Sequence, residues 1–161
     1  MGFKLPKNAE RYFRYIEKRA DGIKFKLLFD QYYFCLMAGF RFRKLGSNDA
    51  LRNEPFIDYY VDHYREKAEI IAGLLIDAEI ERSGIPKADR RSVEKLMLEL
   101  IDHMSITKLS KRGMDLLNLY AAGGMGIIEE NIDQTADLEV FLVNYYQLMN
   151  VDEVLLGQTS I

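Results

Sequence analysis

The sequence predicts an all-α protein, a compact bundle of five to seven helices. Three observations carry that prediction. Apolar residues recur at separations of three and four over most of the chain, the repeat of one helix face. No stretch alternates apolar and polar residues as a half-buried strand does. Turn-forming residues gather between the periodic segments, and only three prolines interrupt 161 residues. A chain of that length buries roughly two thirds of its unfolded surface as one unit. No internal linker or repeat divides it, so one helical domain is expected over 1–161.

Asn8 is placed to cap a first helix over Ala9–Ala20, ended by Asp21-Gly22. Tyr12, Phe13, Tyr15 and Ile16 are mixed there with Arg11, Arg14, Lys18 and Arg19. The second helix, Phe25–Ala38, is apolar on most sides, which places it at the centre of the bundle; Gly39 follows near its end. Phe40–Asn53 reads as a loop that carries Arg41, Arg43 and Lys44 and then Gly46-Ser47-Asn48-Asp49. Asn53 before Glu54 and Pro55 suits a helix start with proline in the first turn. It opens a long third helix, Pro55–Arg82, with Ile57, Tyr60, Val61, Tyr64, Ala68, Ile71, Leu75 and Ala78 on one face. Gly84 and Pro86 end it.

The fourth helix spans Ala88–Met104 and sets Val93, Leu96, Met97, Leu100 and Ile101 on one face. Ser110 caps the fifth, which shows Met114, Leu117, Leu119 and Tyr120 before Gly123-Gly124 breaks it. A short turn follows over Ile127–Asn131. The last long helix begins at Asp133 or Thr135 and carries Leu138, Phe141, Leu142, Tyr145, Leu148 and Met149. The tail Gly157–Ile161 is expected to fray.

Charge is distributed unevenly along this pattern. Residues 1–48 hold eleven Lys or Arg against four Asp or Glu, whereas 113–161 hold eight acidic residues and no Lys or Arg. The near-neutral total of −3 therefore conceals a basic N-terminal part and an acidic C-terminal part. Fields act over a Debye length, roughly 8–10 Å at ordinary salt, so the two parts suit different partners. They equally suit each other, within one molecule or head to tail between copies.

Several classes are disfavoured. The start, MGFKLPKNAERYFRYIEKRA, has no apolar run of secretory length, and Met1-Gly2 lacks the Ser or Thr that myristoylation favours at the sixth position. No stretch reaches the ~18 apolar residues of a membrane span. A single cysteine, Cys35, excludes an intramolecular disulfide and fits a reducing compartment. A cytoplasmic protein without membrane contact is expected.

No catalytic signature is present, and no cofactor is called for. His63 precedes Glu66 by three residues, and His103 follows Glu99 by four and adjoins Asp102, so each histidine shares a helix face with a carboxylate. A small metal-dependent enzyme would use His63, Glu66, Glu99 and His103. The Glu-x-x-His motif of carboxylate-bridged di-metal bundles is absent, and the competing reading is two polar residues on charged helices. Cys35 sits between Phe34 and Leu36 and reads as a packed thiol, with no electropositive neighbour to activate it. Gly123-Gly124-Met125-Gly126 follows a helix and lacks the Lys of a phosphate loop, so it reads as a helix break and a close helix crossing.

The basic, aromatic head is the best binding candidate. Arg11, Arg14, Lys18 and Arg19 can share one helix face, and Arg41, Arg43 and Lys44 extend the positive surface, as do Lys4, Lys7, Lys24 and Lys26. Lys and Arg neutralise phosphates while interleaved Tyr and Phe stack on bases. The competing reading makes Tyr12, Phe13, Tyr15 and Ile16 the buried face, with the charges solvated or turned to the acidic tail. The domain as a whole is acidic, unlike most dedicated nucleic-acid binders.

Three stretches carry a resemblance. Phe29-Asp30-Gln31-Tyr32-Tyr33-Phe34-Cys35-Leu36-Met37-Ala38-Gly39-Phe40 is the first, and Gly113-Met114-Asp115-Leu116-Leu117-Asn118-Leu119-Tyr120-Ala121-Ala122-Gly123-Gly124 the second. Leu138-Glu139-Val140-Phe141-Leu142-Val143-Asn144-Tyr145-Tyr146 is the third. Together they resemble small helical accessory proteins of bacterial phage-defence and DNA-modification gene clusters, phosphorothioation-associated ones included. The shared elements are packing and turn residues, so no active-site residue transfers. The resemblance implies a non-enzymatic subunit of an assembly acting on DNA, with ATPase or nuclease chemistry in larger partner subunits. The alternatives are a homo-oligomeric helical scaffold or regulator without nucleic-acid binding, and the metal-dependent enzyme above.

Overall fold

The computed structural model of the chain describes residues 1–19 and 22–151. Among them are eight α-helices and one 3-10 turn, with no strand. The helices are α1 (Ala9–Tyr12), α2 (Arg14–Lys18), α3 (Leu28–Phe42), α4 (Asp62–Arg65), α5 (Ala68–Arg82), α6 (Arg90–Leu100), α7 (Lys111–Asn131) and α8 (Leu138–Met149). The 3-10 turn is Asn48–Ala50. The architecture is the all-α bundle that the periodicity predicts, with five long helices and three short ones.

The centre is the crossing of α3 and α7, and glycine makes it possible. A Cβ at Gly124 would collide with the carbonyl of Cys35, and one at Gly39 with the carbonyl of Tyr120. A Cβ at Gly123 would strike the carbonyl of Lys44, just beyond α3. The two backbones thus touch where side chains would normally separate them. The expected break at Gly123-Gly124 does not occur: α7 runs unbroken to Asn131. Glycine weakens an isolated helix by about 1 kcal/mol, but a helix this deeply packed is held by its tertiary contacts. The close crossing is as expected.

Other boundaries move for physical reasons. The first helix splits at Phe13, and Asn8 makes no side-chain capping bond. Adjacent Tyr12 and Phe13 are both buried, their rings edge-on to each other at 4.9 Å and both turned to Phe141. Tyr12 donates its hydroxyl to the Ile132 carbonyl at 2.7 Å, while Phe13 sits edge-on to Phe141 at 5.2 Å. Helix α2 ends at Lys18; the expected terminus at Ala20-Asp21 lies outside the described residues. Helix α3 starts and ends later than predicted, running through Gly39 and taking Phe40–Phe42 from the expected loop. It stops at Arg43, which adopts left-handed backbone at φ 49°.

The long third helix is the largest correction. Residues 55–61 are not helical, because the N-terminal segment has taken their backbone groups. Phe3 N–H donates to the Ile57 carbonyl at 2.8 Å, and Phe56 N–H returns a bond to the Phe3 carbonyl at 2.9 Å. Phe3 and Leu5 are fully buried, and Phe3 packs on Phe29 and Tyr60, each at 4.9 Å between ring centres. Helix α6 begins at an Asp89 cap and stops at Leu100, short of the expected Met104. Ile101 turns extended and bridges Leu109. Ser110 caps α7 as predicted, accepting from Gly113 N–H at 3.0 Å. The last helix is capped by Asp137, later than Asp133 or Thr135. The tail Gly157–Ile161 lies outside the described residues.

Candidate functional site

The basic residues singled out in the sequence divide into three groups. Arg41 and Arg43, at the end of α3, are used by the fold. Arg41 donates through Nε to the Met149 carbonyl at 3.0 Å and through Nη2 to that of Val151 at 2.8 Å, capping α8. Its guanidinium also lies 4.9 Å over the Phe42 ring. Arg43 reaches Glu81 at 2.7 Å and Asp77 at 3.5 Å on α5, and donates to the Arg41 carbonyl at 2.7 Å. Both sit where a helix C-terminus or a carboxylate pair already supplies negative potential.

Arg11 and Arg19 are exposed and face the acidic C-terminal region. Arg11 pairs with Glu129 of α7 and Arg19 with Asp137 at the start of α8, each at 3.6 Å. Part of the basic head therefore meets the acidic part inside one molecule. Asp137 does double service, because it also accepts from Glu139 N–H at 2.9 Å as the α8 cap. Beside this contact lies a small cleft of about 180 Å³, lined by Arg19, Gly22, Ile23, Asp137 and Glu139.

Arg14, Lys18 and Lys44 remain. All three are exposed and make no ion pair among the described residues. Arg14 and Lys18 are one turn apart on α2, so they project from the same side. Tyr15, between them in sequence, is 55% exposed, although its neighbours Phe13 and Ile16 are buried. Exposed Ile23, Lys24 and Lys26 follow in the connection to α3. The outward basic and aromatic surface is thus Arg14, Tyr15 and Lys18 with the 23–26 segment, smaller than the sequence-wide positive head.

The metal-ligand candidates stay apart. His63 and Glu66 are exposed around α4, and His103 is exposed in the turn after α6. Glu99 pairs with Arg112 at 3.7 Å. Among the described residues no three His, Cys, Asp or Glu side chains gather as metal ligands would. Cys35 is fully buried against Met125, sulfur to sulfur at 3.5 Å. Burial, reinforced by the charge of Glu129, pushes its thiol well above the ordinary range, so it is protonated and inert.

Two buried polar residues went unread in the sequence. Asn118 accepts from Tyr32 Oη at 2.8 Å and Lys4 N–H at 2.9 Å, and donates to the Gly2 carbonyl at 3.0 Å. It fastens the N-terminal segment to the α3–α7 crossing. Glu79, 3% exposed, accepts from Tyr120 Oη and Arg82 Nε, both at 2.7 Å. Burial alone raises the Glu79 carboxyl, but the bonds from Arg82 and Tyr120 outweigh it and hold the group below its ordinary value. The signal for both was a lone polar residue on an otherwise apolar helix face.

The fold thus defines a class, an all-α domain built round a glycine-lined crossing of two helices. No helix among the described residues is long and apolar enough to cross a membrane. No protein-family model, no curated protein and no solved structure matches the chain.

Proposed function

We propose that this protein is a non-enzymatic accessory subunit of a larger bacterial DNA-defence or DNA-processing assembly, and that its N-terminal basic surface contacts an anionic partner, nucleic-acid phosphates first. The observation that supports this most is the exposed Arg14-Tyr15-Lys18 group, two cations without an ion pair among the described residues beside an aromatic ring that the core does not use. A cation neutralises a phosphate and an exposed ring stacks on an unpaired base. Contact with a larger protein subunit falls to α8, whose Val140, Val143 and Tyr146 are exposed beside acidic Glu139. The resemblance supplies the kind of assembly.

The test is purification of the tagged protein from its host, with and without nuclease, beside an Arg14→Glu/Lys18→Glu variant. Larger ATPase or nuclease subunits should co-purify, and the nucleic acid should be lost from the variant alone. Purification of the protein without companions would end the accessory-subunit reading. Nucleic acid retained by the variant would remove α2 from the contact.

A further inference from the structure

The face formed by α5, α6 and the turn between Ile101 and Leu109 has features that the basic surface does not explain. A groove of about 340 Å³ runs between the elements, with Ala72, Gly73 and Ile76 of α5 on one wall and Met97 and Ile101 on the other. Glu69, His103 and Lys108 supply its charged and polar rim. Gly73 stands mid-helix on the groove wall, and a Cβ there would meet nothing within 4 Å. Internal packing therefore does not account for this glycine, unlike those of the α3–α7 crossing.

Apolar side chains project beside the groove. Leu98 is 82% exposed, Met104 93% and Ile106 75%. The turn that holds Met104 and Ile106 is fixed by its own hydrogen bonds. Asp102 N–H donates to the Lys108 carbonyl at 3.0 Å, Lys108 N–H to that of Ser105 at 3.2 Å, and Ser105 Oγ to that of Leu109 at 2.9 Å. Lys108 adopts left-handed backbone at φ 65°, an uncommon conformation for a residue with a side chain. The two apolar side chains are thus held outward by an ordered turn flanked by two groove residues, His103 and Lys108.

We infer that this face binds a second copy of the chain about a two-fold axis, with Met104 and Ile106 of each copy seated in the other's groove at Gly73. The face carries both a concavity and the projections to fill it, which is what an isologous contact requires. Its charges are self-complementary as well. The rim carries both signs, Glu69 and Lys108, the latter's Nζ also donating to the His103 carbonyl at 3.2 Å, and a two-fold axis that sets each Glu69 against the partner's Lys108 pairs opposite charges. Exposed Met on an ordered turn suits such a contact, because its unbranched side chain adapts to the pocket it enters.

The test is sedimentation of the full chain over a concentration series. The wild type should dimerise. Met104→Glu and Gly73→Leu, which blocks the groove from a site with open space, should each weaken the dimer by about tenfold or more. As monomers, Met104→Glu should melt close to the wild type and Gly73→Leu no lower than it, because neither position packs against the core and leucine favours a helix over glycine. Glu69→Lys should weaken the dimer, and Glu69→Lys/Lys108→Glu should restore it. A wild type that stays monomeric throughout would overturn the inference. So would a dimer indifferent to both Met104→Glu and Gly73→Leu, or native mass spectra showing a small apolar molecule in the groove of a monomer.

Discussion

The two basic pairs of the N-terminal third carry the same charge and have opposite uses. Arg41 and Arg43 end α3 and point back into the molecule, one on the α8 carbonyls and one on Asp77 and Glu81. Arg14 and Lys18 lie on α2 and point out, with no ion pair among the described residues. The difference comes from what stands opposite. The α3–α7 crossing fixes where α3 ends, and so puts Arg41 and Arg43 within reach of two other helices. Helix α2 buries Ile16, and its Arg14, Tyr15 and Lys18 are exposed. Positive charge in a sequence marks a site only where the fold has left it without a counter-charge.

The harshest way to break this contrast is to remove the crossing. Gly124→Val sets its side chain against the Cys35 carbonyl and should cost about 3 kcal/mol or more, read as a lower urea midpoint. Gly126, two residues on, has nothing within 4 Å of a Cβ, so Gly126→Ala should stabilise by roughly 0.5–1 kcal/mol. If the two substitutions behave alike, the crossing is not the organising feature.

Arg41→Ala comes next. It strips two charge-assisted hydrogen bonds from the end of α8 and should cost about 2 kcal/mol in the same urea experiment. Arg43→Ala should cost less, up to about 1 kcal/mol, because Asp77 and Glu81 are about half exposed. Arg14→Ala and Lys18→Ala should fall within about 0.5 kcal/mol of the wild type.

Alkaline pH separates interior from surface in another way. Burial raises the hydroxyls of Tyr12, Tyr60, Tyr64 and Tyr145 well above the ordinary value. A raised folded value favours the protonated native state. That stability is complete below about pH 10, where unfolded tyrosine titrates, and erodes as pH rises towards the folded values. Each such tyrosine removes up to about 1.4 kcal/mol per pH unit over that range. Tyrosinate absorbance from this buried set should therefore appear only with loss of helical circular dichroism. A single smooth titration with helix retained would contradict this.

The helices that pack by periodic faces were legible: α5 and α8 lie within the regions their apolar spacing marks, while α3 and α7 start there and run on past the predicted ends, to Phe42 and Asn131. The errors share a cause, since periodicity shows what a face is and not who competes for the backbone. Ile57, Tyr60 and Val61 fit a helical face, but Phe3 claims the strand-like bonds of Phe56 and Ile57. Gly123-Gly124 carries the local sign of a break, and only the partner helix across it explains why α7 continues. At the candidate site, the residue types were readable and their division was not. The pairs Arg11–Glu129 and Arg19–Asp137 each span over a hundred residues of sequence, and no local pattern encodes them.

The most direct test of that division measures binding and stability on the same variants. Labelled DNA would be titrated against the wild type, Arg14→Ala/Lys18→Ala and Arg43→Ala over a salt series, with a thermal melt of each. The α2 variant should keep the wild-type melt and lose roughly two units of the salt slope, one for each phosphate contact removed. Arg43→Ala should melt earlier and keep the slope. Equal slopes for the wild type and the α2 variant would contradict the assignment of an outward-facing binding group on α2.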